Sequence, residues 1–175
     1  DYVYWKTFFV DEEWKGHTVV LEFEGVYHNA EVYVNGKKAA YRPYGYTNFY
    51  VDISELLICG EENEVRVIAR NADQPNSRWY TGSGIYRPVW LYAAKEQYIA
   101  VNGVKISTTE YNAAQKTAKV EINAAIVGAD EAEITITDPK ERIVYEGKIG
   151  NAQPLALSLE NAMAWSVDIP QLYTC

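Results

Sequence analysis

Short runs in which every second residue is apolar, each closed by turn residues, recur along this chain, and no stretch sustains the 3.6-residue apolar period of an amphipathic helix. The pattern confines the chain to an all-β architecture. Val19, Leu21 and Phe23 alternate with Val20, Glu22 and Glu24, as in an antiparallel strand with one face buried and one in water. Val32 and Val34 run into Asn35-Gly36, a pair suited to a type I′ hairpin turn because both central residues there need positive φ. Lys37 and Lys38 then begin the return strand. Phe49, Val51 and Ile53 form the next run, and Glu55 to Ile58 are expected as a single helical turn before Gly60. Val65, Val67 and Ala69 follow as a strand whose other face carries Arg66, Ile68 and Arg70.

Composition shifts near Gln97 to Asn102. Most of the 15 tyrosines lie before residue 100, and the remaining residues are rich in Ala, Ile, Val and Thr. A chain of 175 residues can supply two small cores, so we expect one domain over residues 1–96 and a second over residues 97–175. In the second, Val104 and Ile106, then Ala118, Val120 and Ile122, then Ile134 and Ile136, then Ile143 and Tyr145, then Leu155, Leu157 and Leu159 make five evenly spaced alternating strands. Asp138-Pro139 turns one hairpin, and Trp165 with Pro170 to Tyr173 is expected as the last strand and exit. The spacing suits a small immunoglobulin-like sandwich without the Cys and Trp marks of antibody domains.

The net charge of -8 and pI of about 4.8 exclude a nucleic-acid partner, since phosphate binding needs a basic surface. No apolar stretch approaches the length of a membrane-spanning helix, so no membrane partner is expected. Cys59 and Cys175 have no metal-ligand spacing and are expected as free thiols; neither a metal nor a cofactor is called for. Tyr2, Tyr4 and Trp5 already resemble strand residues at the very start, so we expect an excised piece of a longer chain. With no leader to read, periplasmic and cytoplasmic placement both stay open.

Two segments carry more chemistry than a sandwich requires. Asn76 to Leu91 sets the rings of Trp79, Tyr80 and Tyr86 beside the guanidinium forks of Arg78 and Arg87, and sugars are held by stacking on rings with hydrogen bonds from such groups. The other reading is a core strand with a glycine bulge at Gly82 to Gly84. Tyr41 to Phe49 gathers four rings around Gly45 and Asn48, which suits either a sugar-facing edge or a rim loop packed on its own sandwich. No catalytic constellation emerges. His17 and His28 are the only histidines, and His28 reads as a structural hydrogen-bonding residue. The acidic patches Asp11 to Glu13, Glu61 to Glu64 and Asp130 to Glu133 read as solvated turn charge, and nothing forces two carboxylates into the facing geometry of glycoside cleavage.

Taken in order, Glu24-Gly25-Val26-Tyr27-His28-Asn29-Ala30-Glu31-Val32-Tyr33-Val34-Asn35-Gly36-Lys37, Tyr44-Gly45-Tyr46-Thr47-Asn48-Phe49 with Val51-Asp52-Ile53, Glu62-Asn63, and Arg78-Trp79-Tyr80-Thr81-Gly82-Ser83-Gly84-Ile85-Tyr86-Arg87 resemble the N-terminal part of glycoside hydrolase family 2. The resemblance implies a sugar-binding jelly roll over 1–96, lacking its first strands, and an immunoglobulin-like domain over 97–175 whose exit resembles Trp165 to Tyr173. It also implies that retaining hydrolysis belongs to two glutamates on a following (β/α)₈ barrel, so that this piece alone is inactive and the barrel is its partner. A β-galactoside is the expected substrate, with β-mannoside and β-glucuronide open, and homo-oligomerisation is open too. By the same resemblance Asn48 is the foremost substrate-contact candidate, with Tyr46, Arg78 and Trp79 beside it. The family's monovalent-ion aspartate near Arg78 has no counterpart here, so no metal site is carried over. Two rival functions remain, a stand-alone carbohydrate-binding module and a structural protein of immunoglobulin-like domains.

Overall fold

A computed structural model describes residues 1–72 and 82–175 and is built of strands. The chain divides into two compact units, Asp1–Glu96 and Gln97–Cys175. Among the described residues no helix is long and apolar enough to cross a membrane. The first unit holds β1 (Tyr2–Val10), β2 (Thr18–Phe23), β3 (Val26–Tyr27), β4 (Ala30–Val34) and β5 (Lys37–Arg42). It continues with β6 (Phe49–Asp52), β7 (Glu61–Ala69), β8 (Gly84–Ile85) and β9 (Val89–Ala94). A four-stranded sheet in the order β1-β7-β4-β5 faces a three-stranded sheet in the order β6-β2-β9, and β3 pairs with β8 in a short ribbon.

Alternation builds the core between those sheets. Val19, Leu21 and Phe23 of β2 and Phe49 and Val51 of β6 meet Ala30, Val32 and Val34 of β4 and Val67 and Ala69 of β7. Burying a side chain such as Phe23 or Val32 contributes about 1.5 to 3 kcal/mol. Phe23 lies directly opposite Phe49 in the β2–β6 ladder, their rings stacked at 4.8 Å and 10°. The β4–β5 hairpin turns at Asn35 (φ 48°) and Gly36 (φ 78°), the two positive values a type I′ turn demands. Asn35 also ties the turn to the loop before β7 and to β7 itself, donating from Nδ2 to Leu56 O and to Asn63 Oδ1.

The second unit holds β10 (Tyr98–Asn112), β11 (Thr117–Val127), β12 (Glu131–Thr137), β13 (Ile143–Gly150) and β14 (Leu155–Leu159). A sheet in the order β10-β11-β14 and the β12-β13 hairpin enclose Ile122, Ala124, Ile126, Ile134, Ile136 and Ile149. Asp138 closes the hairpin: its Oδ1 accepts from the backbone N–H groups of Lys140 and Arg142, and its Oδ2 from Arg142 Nε.

Three local expectations are corrected. Residues 160–175 form no strand and meet the rest of the unit through a bridge between Thr137 and Thr174, a hydrogen bond from Ala162 N to Lys116 O and the Tyr173 ring packed against the core. Pro170 has no N–H to give to a ladder and Val167 is 84% exposed, so no continuous strand runs through them. Glu61 to Glu64 lie within β7 rather than in a turn, because Asn63 between them is fully buried while the glutamates point outward. The helical turn before Gly60 is a 3₁₀ turn at Ser54–Leu56, which starts one residue and ends two residues earlier than expected. Both cysteines are free thiols.

Candidate functional site

Period-2 geometry sends Val20, Glu22 and Glu24 to the face of the β6-β2-β9 sheet that looks away from the core. The register then sets Tyr50 and Trp90 directly opposite Glu22, with Tyr92 two positions further along, opposite Val20. Asn48 lies just before β6 and reaches the same carboxylate. The result is a dense network around Glu22. Its Oε1 accepts from Asn48 Nδ2 at 2.9 Å and from Tyr50 Oη at 2.8 Å, and its Oε2 accepts from Tyr92 Oη at 2.7 Å. Asn48 Nδ2 also donates to Tyr50 Oη at 2.9 Å. Beside this network Trp90 Nε1 donates to Glu24 Oε1 at 2.7 Å and leaves half of its surface in water.

Donation from Asn48, then from Tyr92 and Tyr50, stabilises the ionised form of Glu22 and holds its carboxyl below the ordinary 4.5, against a smaller opposing cost of desolvation. The same contact pushes the Tyr92 phenol up, since losing its proton would set a phenolate against a carboxylate. A depressed folded-state value means that this contribution to stability is present above the ordinary glutamate range and is lost as pH falls through the folded-state value. Wild-type stability is therefore expected to drop more steeply than that of Glu22→Gln as pH falls below about 4.5, the ordinary value. Urea melts of the two proteins across that range check it, and parallel acid limbs would remove the role of Glu22.

A second cluster sits where the β5–β6 loop meets β3. Tyr46 packs on Tyr27 at 5.1 Å between ring centroids and on Tyr44 at 5.8 Å, and the Tyr27 ring lies 4.7 Å from His28. Gly45 lets the loop approach, since a Cβ there would run into the Tyr27 ring. Tyr86 donates to Gly45 O at 2.7 Å, so the tail of the Asn76 to Leu91 segment reaches the Tyr41 to Phe49 segment. Partial withdrawal from water, then hydrogen bonding and charge coupling with Tyr27, push the Tyr46 phenol up. Tyr44 and Tyr46 still expose more than half their surface, which leaves ring faces open to a ligand. His28 Nδ1 lies 3.3 Å from Asn29 Nδ2, while its Nε2 is enclosed and has no hydrogen-bond partner among the described residues.

Of the residues singled out from sequence, Asn48 belongs to the Glu22 network and Tyr46 to the ring cluster two residues away. Arg78 and Trp79 lie outside the described residues. Gly84, on the other hand, has φ 90° and brings its backbone against the Tyr4 hydroxyl, the close approach that its segment allowed. Among the described residues no group of three or more His, Cys, Asp or Glu side chains could hold a metal ion. Sequence reasoning placed Glu22 on a solvent face and missed its network, because the three donors come from β9 and from around β6, far along the chain. The readable signal was a glutamate registered between two strands that each carry an outward tyrosine.

The family model described as "Glycosyl hydrolases family 2, sugar binding domain" matches residues 1–95. The β-galactosidase BoGH2A of Bacteroides ovatus is 36% identical over 185 residues, covering 98% of this chain and 22% of its own length. A putative β-glucuronidase of Formosa agariphila is 34% identical over 176 residues, covering 97% of this chain and 17% of its own. Among solved structures, a glycosyl hydrolase family 2 member from Bacteroides cellulosilyticus superimposes with a TM-score of 0.86 at 30% identity, over 98% of this chain and 25% of that one. A β-glycosidase from Bacteroides vulgatus gives 0.84 at 31% identity, over 98% and 22%. The chain thus spans about a fifth of the length of the curated relatives named here.

Proposed function

This chain belongs to glycoside hydrolase family 2, and from that premise we propose that it is the non-catalytic N-terminal part of a β-glycosidase, with a β-galactoside as the foremost substrate. The observation that carries the reading is coverage: nearly the whole chain aligns with about a fifth of hydrolases whose names are β-galactosidase and β-glucuronidase. Two glutamates on a following barrel would perform the retaining cleavage. The first unit would form one wall of the sugar pocket through Asn48 and Tyr46, with Arg78 and Trp79 as further contacts. The second, an immunoglobulin-like sandwich in this reading, would support the barrel. Galactoside stands ahead of glucuronide because BoGH2A has the higher identity of the two relatives, 36% against 34%, and the preference rests on that small margin.

A stand-alone carbohydrate-binding module is the second reading, favoured by the exposed rings of Tyr44, Tyr46 and Trp90. Calorimetric titration of Asp1–Cys175 with galactose, lactose and mannose separates the two. A wall of a pocket has too few contacts to overcome the cost of association, so no saturable binding is expected. Saturation at about 1 mM or below, some -4 kcal/mol, would favour the module.

A further inference from the structure

Asn48 is exposed, yet its side chain is not free to turn. Glu22 is an ionised carboxylate and can only accept hydrogen bonds, so the Asn48 atom that faces it at 2.9 Å must be the amide nitrogen. That nitrogen carries two hydrogens. It faces Glu22 Oε1 and also Tyr50 Oη at 2.9 Å, where the tyrosine accepts because its own hydrogen is given to Glu22 at 2.8 Å. Glu22 is in turn fixed by Tyr92 at 2.7 Å and is only 9% exposed, so it is too enclosed and too fully engaged to meet a ligand itself. The amide nitrogen of Asn48 is thereby held toward Glu22 and Tyr50, and its carbonyl oxygen is the group turned away from them.

We propose that Glu22 is a positioning residue that holds Asn48 as a one-way acceptor, turned to take the hydrogen of a single sugar hydroxyl. The inference rests on the reading that Asn48 lies in the sugar pocket, and it adds the direction of the hydrogen bond and the residue that sets it. An amide free to rotate would greet a donor or an acceptor equally; one locked by a carboxylate discriminates, because the wrong partner would leave a desolvated polar atom unpaired. A fluorine in place of the recognised hydroxyl keeps the size and removes the donor. It is therefore expected to be rejected as strongly as a hydrogen at that position.

The test uses the whole protein that carries this chain and p-nitrophenyl β-galactoside with its monodeoxy and monofluoro analogues at C3, C4 and C6. Relative kcat/KM is compared between proteins, so that the intrinsic electronic effect of fluorine cancels. At one position, wild type should show a penalty about fivefold to tenfold larger than Asn48→Ala does, the same for deoxy and fluoro sugars. Glu22→Leu, which removes the acceptor, should erase that excess. Glu22→Gln, whose carbonyl oxygen can still receive Asn48 and Tyr50, should keep it, and Glu22→Leu combined with Asn48→Ala should go no further than Asn48→Ala alone. A merely structural Glu22 would lower all substrates together. If Asn48→Ala erases the excess and Glu22→Leu leaves it intact, the positioning role is overturned while the pocket reading stands. If Asn48→Ala changes no position selectively, the pocket reading for Asn48 fails and this inference falls with it. Should Glu22→Leu fail to fold, Tyr50→Phe, which removes one of the two oxygens that hold the Asn48 nitrogen, should shrink the excess at the same position, and an unchanged excess would overturn the proposal.

Discussion

Asn63→Ala is expected to destabilise the first unit by about 3 to 5 kcal/mol, a large share of a small domain's stability. Asn63 is fully buried, and its amide has all four hydrogen-bonding positions filled. Oδ1 accepts from Ile58 N at 2.8 Å and from Asn35 Nδ2 at 2.7 Å; Nδ2 donates to Ile58 O at 2.8 Å and to Glu61 O at 3.0 Å. Truncation leaves the Ile58 N–H and two carbonyls without the amide, and each such orphan costs about 1 to 3 kcal/mol. It also loosens Asn35, whose Oδ1 accepts from Glu64 N, so the β4–β5 turn and the start of β7 lose a shared anchor. Asn63→Asp keeps the acceptor side but puts a carboxylate oxygen against two carbonyls, and should be no better at neutral pH. Urea unfolding followed by tryptophan fluorescence measures both, and a loss below about 1 kcal/mol for Asn63→Ala would show that this loop is satisfied otherwise.

Phe23→Ala should cost a similar amount, about 3 to 5 kcal/mol, by a different mechanism. The ring is 1% exposed and stacked on Phe49 in the core of the sandwich. Removing it forfeits burial and leaves a cavity that two packed sheets cannot close. Phe23→Leu keeps most of the volume and should lose less than about half as much. Equal losses for the two variants would mean that shape at this site, rather than filled volume, governs the core.

The strands of the first unit were legible because their apolar residues alternate without interruption: Val19, Leu21 and Phe23 could bury only one face, and Asn35-Gly36 could turn only one way. Legibility failed where the decisive contact was distant or the pattern mixed. Glu61 to Glu64 looked like turn charge, since a run of acids around one asparagine gives no hint that the asparagine fills a buried loop. Strand β10 runs for 15 residues, Tyr98–Asn112, across the composition shift near Gln97 to Asn102; the ladder absorbs Asn102 and Gly103 in an irregularity between Ile99 and Val104. Trp165 and Leu172 read as strand residues but stay more than half exposed, and Tyr173 instead accepts a hydrogen bond from Met163 N on its hydroxyl.

The site divides in the same way. Asn48 and Tyr46 stood out by residue type and by resemblance, and both lie in contact-rich surroundings. The surroundings of Asn48 were unreadable, because Glu22, Tyr50 and Tyr92 are joined by register rather than by sequence proximity. An outward glutamate beside valine and leucine looks solvated until its neighbours on either strand are known.

That this chain is the sugar-facing, non-catalytic part of a larger β-glycosidase is tested most directly by assaying the whole protein and isolated Asp1–Cys175 side by side on p-nitrophenyl β-galactoside. The whole protein is expected to release p-nitrophenol and the isolated chain to release none above buffer. Turnover by the isolated chain at about 1 s⁻¹ or faster, the range of ordinary enzymes, would contradict it.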